Sequence, residues 1–122
     1  MEHEYEIRSV WAHIDADEKS EMEAYAKRYM HFLDQAKTER EAAKTIVDLA
    51  QEAGYRSFED VLADGKAPQA GQGFYLNHKN KAVILFLPGT APLTEGLDIV
   101  GSHIDAPRLD LKSHPLYEDG GL

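Results

Sequence analysis

Residues 74–87 read FYLNHKNKAVILFL, in which two apolar runs flank the polar segment Asn77–Lys81. Two apolar runs joined by a short polar turn are typical of a β-hairpin. The second run, Ala82–Leu87, shows no alternation of polar and apolar residues, so we expect both faces of that strand to be covered. The second half of the chain is therefore predicted to contain a sheet.

The sequence before the hairpin has the three- and four-residue apolar spacing of helices. A first helix is predicted from Asp17 onward, and a second begins at the capping box Thr38–Glu41 and ends at Gly54. A short third helix is predicted from Ser57 to about Ala63. The expected buried stripe of the first helix consists of Met22, Tyr25, Ala26, Tyr29, Met30 and Leu33. The expected buried face of the second consists of Ala42, Ala43, Ile46, Val47, Leu49 and Ala50.

A third strand is predicted at Leu97–Val100, where three of the four residues are apolar and the run leads directly into the polar segment GSHIDAP, residues 101–107. Helices followed by a hairpin and a buried strand indicate an α/β fold. Three strands make a thin sheet, and the apolar pattern continues into the last residues. We therefore expect the chain to be an incomplete half-domain.

Composition excludes several classes of protein. The chain of 122 residues carries a formal net charge of −9, which disfavours nucleic acid and anionic membrane surfaces as partners. It has no cysteine, so a metal would have to be bound by His, Asp or Glu. The acidic N-terminal residues differ from a secretory signal, and no apolar run is long enough to span a bilayer. A cytoplasmic location is expected.

The tripeptide His103-Ile104-Asp105 is the candidate chemical site. Residues two apart in an extended segment point to the same side, so the imidazole and the carboxylate can share one space. The same triplet, His13-Ile14-Asp15, occurs near the start of the chain, and about one triplet of His, any residue and an acidic residue is expected by chance. The first precedes a helix, where Asp15 or Asp17 can cap it. The second follows an apolar strand, and the residues alone leave a functional site and a hydrogen-bonded turn equally open.

Residues 101–112, GSHIDAPRLDLK, resemble a segment of the M18 metallopeptidases. The family pattern there is a small residue, His, any residue, Asp, Ser, Pro and then alternating apolar residues ending in Lys. Residues 113–122 resemble the bacterial, clostridial-type branch of the family, and the upstream helices and hairpin follow the order that the family uses. Ala106 departs from the usual Ser, but a methyl group in place of a hydroxyl removes no ligand.

The resemblance implies a zinc aminopeptidase that removes N-terminal residues from peptide substrates by means of two zinc ions. His103 would be the first metal ligand, and Asp105 the carboxylate that orients it. Residues 1–122 would form the N-terminal part of a catalytic domain with a mixed central sheet, and the remaining ligands and the general base would lie further along. Family members of this kind form homo-oligomers, as dodecamers. The alternative is a truncated, non-catalytic fragment or interaction module.

Overall fold

The computed structural model describes residues 9–106 and 108–119. The expectations for the acidic N-terminal residues, Pro107 and Gly120–Leu122 lie outside the described residues. The chain divides into two compact units, of which one is Phe32–Arg108. The other combines the described residues up to His31 with those from Leu109 onward. In the described part of the chain, no helix has both the length and the apolar character that a membrane crossing requires.

The predicted hairpin is confirmed. Strands β2 (Phe74–His78) and β3 (Ala82–Phe86) pair antiparallel, with Tyr75 opposite Leu85. Lys79 and Asn80 both have positive φ, 55° and 53°, as the central residues of a type I′ turn require. The Asn77 side chain holds this turn, because its Oδ1 accepts from the Asn80 amide at 3.0 Å.

The third strand of the sheet is β1 (Arg56–Ser57), which pairs parallel with β2. The strand order is β1-β2-β3, so the α/β class is confirmed with a mixed sheet. The prediction of a strand at Leu97–Val100 is wrong: these residues have no ladder partner in the described chain, and Val100 is 98% exposed. Apolar character alone does not make a strand, because a strand is defined by a neighbour that accepts and donates backbone hydrogen bonds.

Helix α1 spans Ala16–Gln35, which confirms the first predicted helix. Its predicted buried stripe is wrong, because the helix has no buried residue and Tyr25 and Met30 are 64% and 63% exposed. The apolar spacing is helical, but none of the residues of the stripe is buried in the described part of the chain. The stripe is therefore an exposed apolar surface in this structure.

Helix α2 spans Glu39–Glu52 and begins where the capping box predicted. The Thr38 hydroxyl oxygen accepts a hydrogen bond from the Glu41 amide at 3.3 Å. In a full capping box the Glu41 carboxylate would accept from the Thr38 amide, but here it accepts from the Thr38 hydroxyl instead. Gly54 follows the helix with φ +83°, as expected of a residue that ends a helix. The predicted face is buried at three alanines and half-buried at Ile46 and Val47, but Leu49 is 50% exposed and the prediction is wrong there.

Helix α3 (Phe58–Asp64) confirms the third predicted helix. The Ser57 hydroxyl oxygen accepts from the Asp60 amide at 3.1 Å, and Gly65 closes the helix with φ +62°. Because Ser57 is also the last residue of β1, the helix starts directly from the sheet.

The core lies where α2 and α3 pack on the hairpin. Gln51 of α2 donates from Nε2 to the Tyr75 phenol oxygen of β2 at 2.7 Å, and the Phe74 ring lies 5.8 Å from the Phe58 ring and 5.1 Å from the Phe86 ring. The buried apolar residues are Ala36, Ala42, Ala43, Ala50, Val61 and Tyr75. The expectation that both faces of β3 are covered is wrong, because Ile84 is 59% exposed and Leu85 49%.

Candidate metal centre

The side chains of His103 and Asp105 face each other, as expected for residues two apart in an extended segment. His103 Nδ1 lies 2.6 Å from Asp105 Oδ1. An ionised carboxylate can only accept, so Nδ1 carries the proton of this hydrogen bond. In a neutral ring, Nε2 is then left with its lone pair free. A zinc-ligating histidine is held in the same way, with its other ring nitrogen bonded to a carboxylate.

The pKa of the Asp105 carboxyl is lowered from its ordinary value. The hydrogen bond from His103 contributes most, followed by the backbone N–H of Asp105 and the charge of the His103 ring. Each of these interactions favours the ionised carboxylate. Asp105 is therefore an acceptor throughout the neutral pH range and keeps the His103 proton on Nδ1.

The pair lines an open groove of about 1100 Å³ within the unit Phe32–Arg108. One wall of this groove is β3, the other is the segment 97–105, and Ile46 of α2 contributes to its lining. The side chains of His103 and Asp105 are 81% and 80% exposed. The imidazole is thus neither sealed in the core nor turned away from its carboxylate, and Nε2 can be reached by a ligand.

A catalytic zinc ion normally has three protein ligands. Among the residues that the structure describes, no group of three or more His, Asp or Glu side chains is arranged to hold a metal ion. The donor chemistry of the pair fits one histidine ligand with the carboxylate that orients it. The assignment of His103 as a ligand and Asp105 as its partner stays a prediction.

The first triplet has the structural role that the sequence predicted. Asp15 Oδ1 accepts from the amides of Asp17 and Glu18 at 2.9 and 2.8 Å, so it caps α1. Glu18 in turn accepts from the Asp15 amide through Oε2 at 3.0 Å. This reciprocal arrangement is a capping box with Asp in the Ser/Thr position. The Asp-x-x-Glu spacing of residues 15–18 is the sequence signal for it.

Nothing in the local sequence marks Glu39, Ile46 or Lys81 as site residues, although all three line the groove that contains the pair. They come from α2 and from the hairpin turn, far from residue 103 in sequence. No local motif marks them, because their proximity arises from the packing of α2 on β3. Only the tertiary structure could place them there.

The sequence that carries this pair matches a known peptidase family. A family profile described as "Aminopeptidase I zinc metalloprotease (M18)" matches residues 32–122. The chain belongs to the M18 family. The match includes α2, α3, the hairpin and the His103 triplet, and it leaves most of α1 outside.

Curated M18 proteins are similar to almost the whole chain. It is 42% identical over 117 residues to the probable M18 family aminopeptidase 1 of Clostridium acetobutylicum, covering 96% of this chain and 25% of that protein. It is 39% identical over 114 residues to the probable M18 family aminopeptidase 1 of Thermotoga maritima, covering 93% and 24%. This M18 chain therefore spans about a quarter of the length of these relatives. No solved structure matches it.

Proposed function

We propose that this M18 chain forms part of a zinc-dependent aminopeptidase that hydrolyses N-terminal residues from peptides. The observation that carries the proposal is the hydrogen bond of 2.6 Å between His103 and Asp105 in an open groove. Family membership and the names of the relatives, which are probable aminopeptidases, support the same activity.

In the proposed enzyme, His103 binds zinc through Nε2. Asp105 holds the proton on Nδ1, fixes the orientation of the ring and raises the basicity of Nε2. When bound, zinc polarises the scissile carbonyl and lowers the pKa of a water molecule to near neutrality. The resemblance to the family suggests two such ions, whose remaining ligands would come from polypeptide outside this chain.

In this proposal, the residues of this chain bind the metal ion and orient its histidine ligand. His103 and Asp105 follow Leu97–Val100 on one wall of the groove, opposite β3. Peptide substrates would reach the pair from the open side of this groove. A homo-oligomeric assembly and a cytoplasmic location stay predictions.

The test uses a full-length M18 protein that contains this chain. One is made by joining residues 1–122 to the part of the Clostridium acetobutylicum relative that lies outside the match. We expect it to hydrolyse an amino-acid p-nitroanilide, to lose activity on chelation and to recover it with zinc. His103→Ala is expected to abolish turnover, because it removes a metal ligand.

His13→Ala is the matched control and is expected to keep nearly full activity. Equal losses in the two variants would show that the wrong triplet was chosen. The 122-residue chain alone is expected to show no turnover, since its described residues include no three-ligand group. Zinc-dependent hydrolysis by that chain would contradict the proposal that further ligands come from elsewhere.

A further inference from the structure

Ile104 separates the two residues of the candidate metal centre. His103 and Asp105 face each other at 2.6 Å, and their side chains are 81% and 80% exposed. In an extended segment, the residue between two such side chains points to the opposite side. The burial agrees with this alternation, because Ile104 is half-buried while both of its neighbours are exposed.

Ile104 also differs from the rest of the stretch that leads to the site. Of the described residues from Gly89 to Arg108, it alone is half-buried and the others are exposed. No backbone–backbone hydrogen bond between described residues involves residues 97–105. This stretch therefore lacks the helical and ladder hydrogen bonds that hold α2 and the hairpin. In the described part of the chain, Ile104 is thus the side chain whose burial can attach the stretch to the fold.

The surface around Ile104 is apolar. Ile104 lines the groove together with Ile46 of α2 and with Val83 and Phe86 of β3, which are themselves half-buried. Moving an apolar side chain from water to such a surface is favourable, roughly in proportion to the apolar area that it buries. A β-branched side chain also has few χ1 conformations, so its packing restrains the backbone that carries it.

We propose that Ile104 is a positioning residue for the metal centre. Its side chain anchors the segment 97–105 to the layer of α2 and β3, and it thereby holds His103 and Asp105 toward the open side of the groove. Ile104 acts through these two neighbours and contacts neither metal nor substrate. A ligand binds a metal tightly only when packing and hydrogen bonds outside the ligand set hold it in place. The inference rests on the proposed function, because this positioning serves catalysis only if His103 binds zinc.

The first measurement is the order of the segment in the metal-free 122-residue chain. The heteronuclear ¹H–¹⁵N NOE reports backbone motion on the picosecond to nanosecond timescale. We expect the amides of His103 and Asp105 to have NOE values close to those of the hairpin strands. In Ile104→Ala the values are expected to fall to those of a mobile loop, because the anchor is removed. Ile104→Val is expected to restore them, since valine keeps the β-branched side chain.

The second measurement is zinc affinity in the full-length protein that joins residues 1–122 to the rest of the Clostridium acetobutylicum relative. We expect Ile104→Ala to lower the affinity about 10-fold, the lower end of the range for groups that support a metal ligand. Turnover is expected to recover as zinc is raised to saturation, because both residues of the pair are still present. Ile104→Val is expected to keep the affinity.

Val61→Ala is the matched control for both measurements. Val61 is a buried apolar residue of α3 and does not line this groove. Its truncation is expected to lower the melting temperature while the NOE values of the triplet and the zinc affinity stay unchanged. Equal losses in Val61→Ala and Ile104→Ala would overturn the proposal, because the effect would then follow from a general loss of stability.

Unchanged NOE values and zinc affinity in Ile104→Ala would also overturn the proposal. Should the full-length Ile104→Ala protein fail to fold, the NOE values in the 122-residue chain decide. Failure of the proposed function gives a different result, in which His103→Ala keeps the zinc affinity of the full-length protein. The NOE values are measured without metal, so they test the anchor independently of that outcome.

Discussion

His103 Nδ1 and Asp105 Oδ1 are 2.6 Å apart, and this hydrogen bond leaves Nε2 as the ring atom that can bind a metal. The identical triplet His13-Ile14-Asp15 uses its carboxylate differently, because Asp15 Oδ1 accepts hydrogen bonds from two amides of the first turn of α1. The same residues in the same spacing thus serve a candidate metal site in one place and a helix cap in the other.

The pKa of Asp105 provides the first prediction. We expect its carboxyl to titrate below its ordinary value in the metal-free chain, and His103→Ala to move the pKa back up, because the largest cause of the shift is lost. Because the pKa of Asp105 is lowered in the folded state, its interaction with His103 stabilises the folded state at pH values above the ordinary pKa of aspartate. This stabilisation is lost as the pH falls through the lowered pKa. A ¹³C NMR titration of the carboxyl carbon measures the shift. An unchanged titration in His103→Ala would contradict the hydrogen bond.

Asp105→Asn tests how the carboxylate acts in the proposed enzyme. Asparagine keeps the shape of the side chain but removes the charge that fixes the imidazole tautomer. Replacing such a partner of a metal-ligating histidine typically costs about 10–100-fold in metal affinity or activity. We expect a loss of this size in the full-length protein that joins residues 1–122 to the rest of the Clostridium acetobutylicum relative. The loss is measured both as zinc affinity and as turnover. Ala106→Ser is the control and is expected to keep both, since it restores the family's usual residue and touches no ligand.

Asp15→Ala is expected to destabilise the chain without a specific effect on zinc. The substitution removes two capping hydrogen bonds from α1, and loss of such a cap costs about 1 kcal/mol in the free energy of unfolding. Asp15→Asn is the control, because asparagine is an equally good cap. Circular dichroism during urea unfolding measures the difference. A full loss with asparagine would show that the charge, and not the cap, stabilises the helix.

Gly73→Ala tests the close packing beside β1. A Cβ atom at residue 73 would lie 2.6 Å from a carbon of the Tyr55 ring, so the ring or the backbone has to move. The backbone is also constrained, because the Gly73 carbonyl accepts from the Arg56 amide at 3.1 Å. We expect a loss of about 1–3 kcal/mol in the free energy of unfolding. Gly89→Ala has open space around the added methyl group and is expected to change stability little.

Local sequence signals predicted the helices and the hairpin well, because caps and turns depend on residues that are close in the chain. Thr38 and Ser57 cap α2 and α3, and Gly54 and Gly65 end them with positive φ. The contact between His103 and Asp105 was predictable for the same reason, as it joins residues two apart. The M18 resemblance of residues 101–112 was equally a property of the local sequence.

Burial and strand pairing could not be predicted in this way. Leu97–Val100 has the composition of a strand but no partner in the described chain, whereas the two residues Arg56–Ser57 form a strand because β2 lies beside them. The apolar stripe of α1 has helical spacing, but burial requires a second surface, and none of the stripe is buried among the described residues. Each of these properties depends on a neighbour that the local sequence does not specify.

The sequence by itself thus determined where the helices and the hairpin lie, that Asp15 or Asp17 caps α1, and to which family the chain is similar. The tertiary structure decided that Arg56–Ser57 pairs with β2, that β3 has one edge without a strand partner among the described residues, and that His103 and Asp105 line an open groove. The physical reason is distance along the chain. Turns and caps are formed by hydrogen bonds between near neighbours, whereas edges, grooves and burial arise only when remote segments meet.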